Sequence, residues 1–205
     1  MIAITTTVNT PFLVFTLLFI LFTEGCNEMS EEVVDESAGL NGSFEVSKNG
    51  LPVNWVMYTP NTVPYADFQI ILDKEVFKEG KQSLKFIVKR CSSIGGWKSP
   101  GFTNEFYEVG KYKGEGHYKL SFWVKNDGAE FSISAGGVSA TTGNMKTLIK
   151  ENKQINDWKL LEYQIDVPKD KWLRMQLNLL RPGTFWIDDI NIEKLKTGHN
   201  KVEKI

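Results

Sequence analysis

Residues 172–179 read Trp-Leu-Arg-Met-Gln-Leu-Asn-Leu, with Leu173, Met175, Leu177 and Leu179 alternating with Trp172, Arg174, Gln176 and Asn178. A period of two is the signature of a β-strand that buries one face. The same alternation recurs on both sides. Upstream lie Leu84, Phe86 and Val88, then Tyr118, Leu120, Phe122 and Val124, then Phe131, Ile133 and Ala135 after the turn Asn126-Asp127-Gly128. Leu161, Tyr163, Ile165 and Val167 form a further run, ended by Pro168-Lys169-Asp170, and residues 184–195 close the series. Weaker strands are expected at 42–46, 55–58, 68–73, 106–109 and 145–150. About eleven short strands bounded by Gly, Asn, Asp and Pro predict an all-β fold, a two-sheet antiparallel β-sandwich of the jelly-roll kind.

Composition agrees. The chain has 205 residues, 41% of them hydrophobic, with 17 Gly, 7 Pro, 6 Trp, 6 Tyr and 13 Phe, enough apolar material for one β-rich domain. Its 24 basic and 25 acidic side chains nearly balance. That leaves no bulk excess of cations to neutralise phosphates, so no nucleic-acid partner is expected. The balance hides a gradient. No Lys or Arg precedes Lys48, and six acids precede Ala38, which leaves 19 acids against 24 bases from there onward.

The N-terminus reads as a targeting segment rather than part of the domain. Residues 11–22, Pro-Phe-Leu-Val-Phe-Thr-Leu-Leu-Phe-Ile-Leu-Phe, are too short to span about 30 Å of hydrocarbon. They stop just before Gly25-Cys26. This resembles a bacterial lipoprotein signal, which implies that Cys26 is the lipid attachment. The acidic Asn27-Glu28-Met29-Ser30-Glu31-Glu32 resembles surface-export signals of Bacteroidetes lipoproteins. The expected division is a signal peptide over 1–25, a tether over 26–39, a jelly roll over 40–195 and a polar tail over 196–205. The expected location is the cell envelope, at the outer membrane or cell surface, with the lipid as the only membrane contact. Ordinary secretion, with Cys26 irrelevant, is the alternative. The one other cysteine, Cys91, then lacks a disulfide partner.

Within 40–195 several short motifs occur in a fixed order. Asn41-Gly42-Ser43-Phe44-Glu45 comes first, followed by Leu51-Pro52-Val53-Asn54-Trp55 and Gly80-Lys81-Gln82-Ser83-Leu84-Lys85-Phe86. Gly96-Trp97 and Tyr118-Lys119-Leu120-Ser121-Phe122-Trp123-Val124-Lys125 come next, and Phe185-Trp186-Ile187-Asp188-Asp189-Ile190-Asn191-Ile192 comes last. Together they resemble the β-jelly-roll carbohydrate-binding modules of the family 4, 9 and 22 type. The resemblance implies non-catalytic polysaccharide or oligosaccharide binding, beside glycan-degrading enzymes or transporters. It also implies a structural Ca²⁺, with Glu45 and Asp188 supplying carboxylates and backbone oxygens near Ser43 and Lys81 completing the shell. Strict alternation puts Asp188 on the face of Ile190 and Ile192, where a buried carboxylate needs a partner.

Sugar recognition requires flat rings for pyranose faces and planar polar groups for hydroxyl pairs. The polar face of 172–178, Trp172, Arg174, Gln176 and Asn178, offers both. Trp123, among Lys119, Ser121 and Lys125, and Trp97, in a Gly-rich loop, are further candidates, whereas Trp55 and Trp158 read as core plugs. The basic excess tilts the ligand toward anionic polysaccharide, with Arg90, Arg174 and Arg181 as partners. Catalysis has little support. The chain carries only His117 and His199, and its acids cluster in turns rather than as a spaced pair. A protein-docking or structural surface domain and a jelly-roll lyase or glycosidase remain the alternatives.

Overall fold

The computed structural model describes residues 33–105, 114–139 and 141–196, and the strongly alternating runs within them are strands. The strands are β1 (Ser47–Lys48), β2 (Leu51–Pro52), β3 (Val56–Tyr58), β4 (Asp67–Asp73), β5 (Ser83–Arg90) and β6 (Gly101–Glu105). They continue as β7 (Gly116–Asp127), β8 (Glu130–Val138), β9 (Gly143–Glu151), β10 (Ile155–Val167), β11 (Trp172–Arg181) and β12 (Gly183–Leu195). Two antiparallel five-stranded sheets result. The front sheet runs β3-β6-β11-β8-β9 and the back sheet β10-β7-β12-β5-β4, with β1-β2 a separate hairpin.

The apolar halves of the alternating strands meet between the sheets. Leu173, Met175, Leu177 and Leu179 from β11 and Leu120, Phe122 and Val124 from β7 are all fully buried there. Phe131 of the front sheet and Phe185 of the back sheet touch at 4.5 Å between ring centroids. At one end the chain plugs the sandwich with Phe44 against Trp55 at 5.4 Å and Trp55 edge-on to Phe102 at 4.9 Å. Trp55 is thus the core plug expected of it, and truncation there costs about 3–5 kcal/mol. Trp158 is half-buried.

Three local features differ from the expectation drawn from sequence. Residues 42–46 form a loop, because Asn41 (φ 49°) and Phe44 (φ 58°) take left-handed backbone that no strand accommodates. β6 was invisible to hydropathy, since Thr103 and Asn104 are polar yet buried. Thr103 Oγ1 donates to the Met175 carbonyl (3.0 Å), and Asn104 Nδ2 donates to that of Asn54 (2.6 Å). The strand expected at 106–109 and the signal and lipid-attachment segment with Cys26 lie outside the described residues. Residues 33–39, assigned to the tether, are fastened to the domain. Asn54 accepts from the Asp35 N–H (2.8 Å) and donates to the carbonyls of Asp35 (2.7 Å) and Gly39 (2.9 Å).

Candidate functional site: the outer face of the front sheet

β11 lies at the centre of the front sheet, so its polar side faces outward with neighbours on both flanks. Register puts Arg174 opposite Gly136, Gln176 opposite Ser134 and Thr103, and Asn178 opposite Ser132 and Gly101. Alternation puts all of these on one face. Trp172 and Asn178 are six residues apart, which is ~20 Å of strand. The β8 side of this face is floored by small residues, Ser132, Ser134 and Gly136.

At the Asn178 end the face is closed by the loop before β6. Gly95 (φ 79°) and Gly96 (φ 59°) have backbone that favours glycine, and they turn the loop back over the sheet. Asn178 Oδ1 accepts from the Gly96 N–H (3.1 Å) while its Nδ2 donates to the Gly96 carbonyl (3.0 Å). Asn178 is 8% exposed. It therefore holds the loop rather than presenting its amide to a ligand, a correction to its expected role. The loop in turn carries Trp97, whose ring rests 4.9 Å from that of Tyr58 and stays 43% exposed. Tyr58 is buried beneath it, and its hydroxyl accepts from Gln176 Nε2 (3.1 Å). Sequence reasoning did not single out Tyr58. The signal was its place beside β6, which itself was not foreseen.

Trp97, Gln176, Arg174 and Trp172 thus share one face of the front sheet. Trp123 does not. It belongs to β7 of the back sheet, paired with Asp188, and the Lys78 ammonium sits 4.2 Å above its ring. Sheet order, which brings β7 beside β12 and β11 beside β8, separates the two tryptophans by the thickness of the sandwich. Arg181 also departs from the expected ligand set, because Glu130 accepts from its Nε (2.8 Å) as well as pairing with Lys150 (3.1 Å).

The proposed cation ligands converge on the connection between β4 and β5. Glu45 Oε1 accepts from the backbone N–H groups of Lys81 (2.8 Å) and Gln82 (3.3 Å). Gly80 (φ 67°) makes that approach feasible, since a Cβ there would stand 2.2 Å from the same oxygen. Asp188 is fully buried, and its Oδ2 accepts from Lys78 N–H (2.7 Å) and Glu79 N–H (3.0 Å). Its orientation is not the one alternation implied. A bulge between Asp188 and Asn191, with Asp189 at φ 47°, flips the register, so Asp188 faces outward with Trp123 and Trp186 while Ile190 and Ile192 face the core. The 74–82 connection covers it.

Burial drives the Asp188 carboxyl up to about 6, against the downward pull of the Glu79, Lys78 and Asp189 N–H groups. Among the described residues Asp188 has no ion-pair partner. Asp188, a buried carboxylate without a counter-charge, accepts N–H groups at both of its oxygens, and Glu45 is held by N–H groups of the same connection; carboxylates are the ligand type a hard cation takes. Among the described residues no group of three or more His, Cys, Asp and Glu converges, so backbone carbonyls of this loop and of the turn at Ser43 would have to supply the remaining ligands.

Two stacked antiparallel five-stranded sheets define a jelly-roll sandwich, and one outer face of it carries rings at both ends with a guanidinium and an amide between them. Solved structures place the fold more narrowly. The chain is similar to the CBM22-1 xylan-binding domain of Paenibacillus barcinonensis Xyn10C, with a TM-score of 0.54 and 16% identity, covering 77% of this chain and 94% of that one. It is also similar to the CBM22-1–GH10 modules of Clostridium thermocellum xylanase 10B complexed with xylohexaose, at TM-score 0.55 and 20% identity, over 75% of this chain and 28% of that one. A third match is a xylan-binding domain from CBM 22, at TM-score 0.51 and 17% identity, over 75% and 92% of the two chains. No family model and no curated protein matches the sequence. At these identities the shared property is the fold, the jelly roll of family 22 carbohydrate-binding modules.

Proposed function

We propose that the protein binds polysaccharide without cleaving it, on the outer face of the front sheet, with Trp172 and Trp97 as ring platforms and Arg174 and Gln176 as polar partners. The observation that carries this reading is the placement of Trp97 and Trp172 at opposite ends of one polar strip. Flat rings take the apolar faces of sugars, and the amide and guanidinium between them take hydroxyls. The xylan-binding titles of similar structures make a β-linked neutral chain such as xylan the first ligand to try. The observed pairing of Arg181 with Glu130 weakens the case for an anionic one.

The site's chemistry supports the non-catalytic reading. Among the residues whose side chains are described, the strip between Trp172 and Trp97 displays a guanidinium and an amide but no carboxylate pair of the kind glycoside hydrolysis uses. Calcium would be held by Glu45 and Asp188 and would tie the N-terminal loop to the last strand, a stabilising role. Lipid attachment at Cys26 would tether the module to the cell envelope, near enzymes or transporters that handle the same glycan. Retardation of the protein in gels containing xylan, lost in Trp172→Ala with an unchanged melting temperature, tests the binding reading. Equal retardation of the variant would move the site away from this face.

A further inference from the structure

Beyond the end of the polar strip, the 59–66 and 91–100 loops enclose a recess of about 400 Å³ lined by Thr62, Val63, Pro64, Tyr65, Trp97 and Lys98, with Ser92 at its edge. Its walls are mostly apolar, and the surrounding rings are unusually bare. Tyr65 is 90% exposed and Trp97 43%, and Ile94, on the same loop as Trp97, is 75% exposed. Exposed large apolar groups gathered at one place mark a contact surface rather than an ordinary loop.

The recess differs from the strip in what it can hydrogen-bond. Thr62 Oγ1 accepts from the Thr59 N–H (2.9 Å) and donates to the Thr59 carbonyl (3.2 Å). Ser92 Oγ accepts from the Ile94 N–H (3.2 Å). The Thr62 hydroxyl is therefore engaged within its own loop and Ser92 Oγ accepts within its own, which leaves the exposed Tyr65 hydroxyl and Lys98 as the main polar groups of the lining; a sugar ring seated there would lose water from its own hydroxyls with few replacements, at a cost. A planar apolar ring meets that constraint, since it packs against the apolar lining of Tyr65, Pro64 and Trp97 and asks for no hydroxyl partners. Lys98 is exposed at the recess and can donate to a linking carbonyl or ether oxygen.

Position supplies the source of the ring. Trp97 lines the recess and also closes the strip, so a group in the recess lies next to a chain on the strip. We propose that this recess takes an aromatic ring carried by the bound glycan, as a terminal aglycone or an aryl substituent. The inference rests on the glycan-binding reading and adds a second ligand chemistry to it.

Calorimetric titration of the protein with phenyl β-xylotrioside and with methyl β-xylotrioside tests it, repeated on Tyr65→Ala, whose side chain is too exposed to matter for folding. The phenyl glycoside is expected to bind at least tenfold more tightly, and Tyr65→Ala should bring it to the methyl level while leaving the methyl glycoside unchanged. Equal affinities in the unaltered protein would overturn the recess and leave the strip standing. A phenyl advantage that survives Tyr65→Ala would also remove the ring from this recess. Binding of neither glycoside would overturn both the recess and the glycan reading beneath it.

Discussion

Asn178 grips Gly96 with both ends of its amide, accepting from the backbone N–H at 3.1 Å and donating to the carbonyl at 3.0 Å. Through that pair, a side chain of the central strand sets the position of a ring two elements away, because Gly96 precedes Trp97 in the same 3-10 turn. The strip's geometry therefore depends on a residue that need not touch the ligand.

Asn178→Ala should lower glycan affinity about tenfold through Trp97 alone. Trp97→Ala should lower it at least as far, and the double variant no further than Trp97→Ala, because both changes remove one function. Affinity by calorimetry in this cycle checks it. Additive losses would show Asn178 acting on the ligand directly.

Trp123→Ala should leave polysaccharide retention unchanged, since Trp123 lies on the back sheet under Lys78. Its loss removes a cation–π contact, and the expected effect is a destabilisation of about 1 kcal/mol in denaturant unfolding. Loss of retention with an intact fold would mean that the back sheet binds glycan too.

Asp73 links acid stability to the back sheet. Burial alone would raise its pKa, but hydrogen bonds from the Trp186 indole and the Lys85 ammonium, with the N–H groups of Glu75 and Val76, outweigh it and bring the carboxyl to about 2. A folded-state value below the unfolded 3.8 means stability that is complete above about pH 4 and lost as pH falls toward 2. The loss is of order 2 kcal/mol. Asp73→Asn should flatten that part of the melting-temperature profile, measured by calorimetry, and a profile as steep as the unaltered protein's would sink the assignment.

Asp188 has the opposite sign. Its folded pKa, about 6, lies above the unfolded 3.8, so the native state holds a proton that the unfolded state releases. Chelated protein should gain melting temperature as pH falls from 7.5 to 5. Calcium at pH 7.5 should raise the melting temperature and abolish that gain, because it compensates the buried charge directly. Asp188→Asn should show neither response. A calcium response that persists in Asp188→Asn would place the ion elsewhere.

The sandwich was legible wherever one strand face is uniformly apolar, as in β5, β7, β8 and β11, because periodicity is a local property of the chain. Legibility failed where burial is polar or the backbone irregular. β6 hides behind Thr103 and Asn104, whose burial is repaid by hydrogen bonds to β11 and to the turn at Asn54, both far away in sequence. The face of Asp188 was misread because one left-handed residue, Asp189, breaks the period of two. The candidate site was half legible. Alternation grouped Trp172, Arg174 and Gln176, but only sheet order, which depends on contacts across the whole chain, could bring Trp97 and Tyr58 to them and take Trp123 away. The role of Asn178 was misjudged for the same reason, since its partner Gly96 is 82 residues distant.

The most direct test of glycan binding on the front sheet is affinity electrophoresis in xylan-containing gels, with the unaltered protein, Trp172→Ala, Trp97→Ala and Trp123→Ala run side by side. The account predicts retardation of the unaltered protein and of Trp123→Ala, and free migration of the two front-sheet variants. Retardation of all four alike, or loss only in Trp123→Ala, would contradict it.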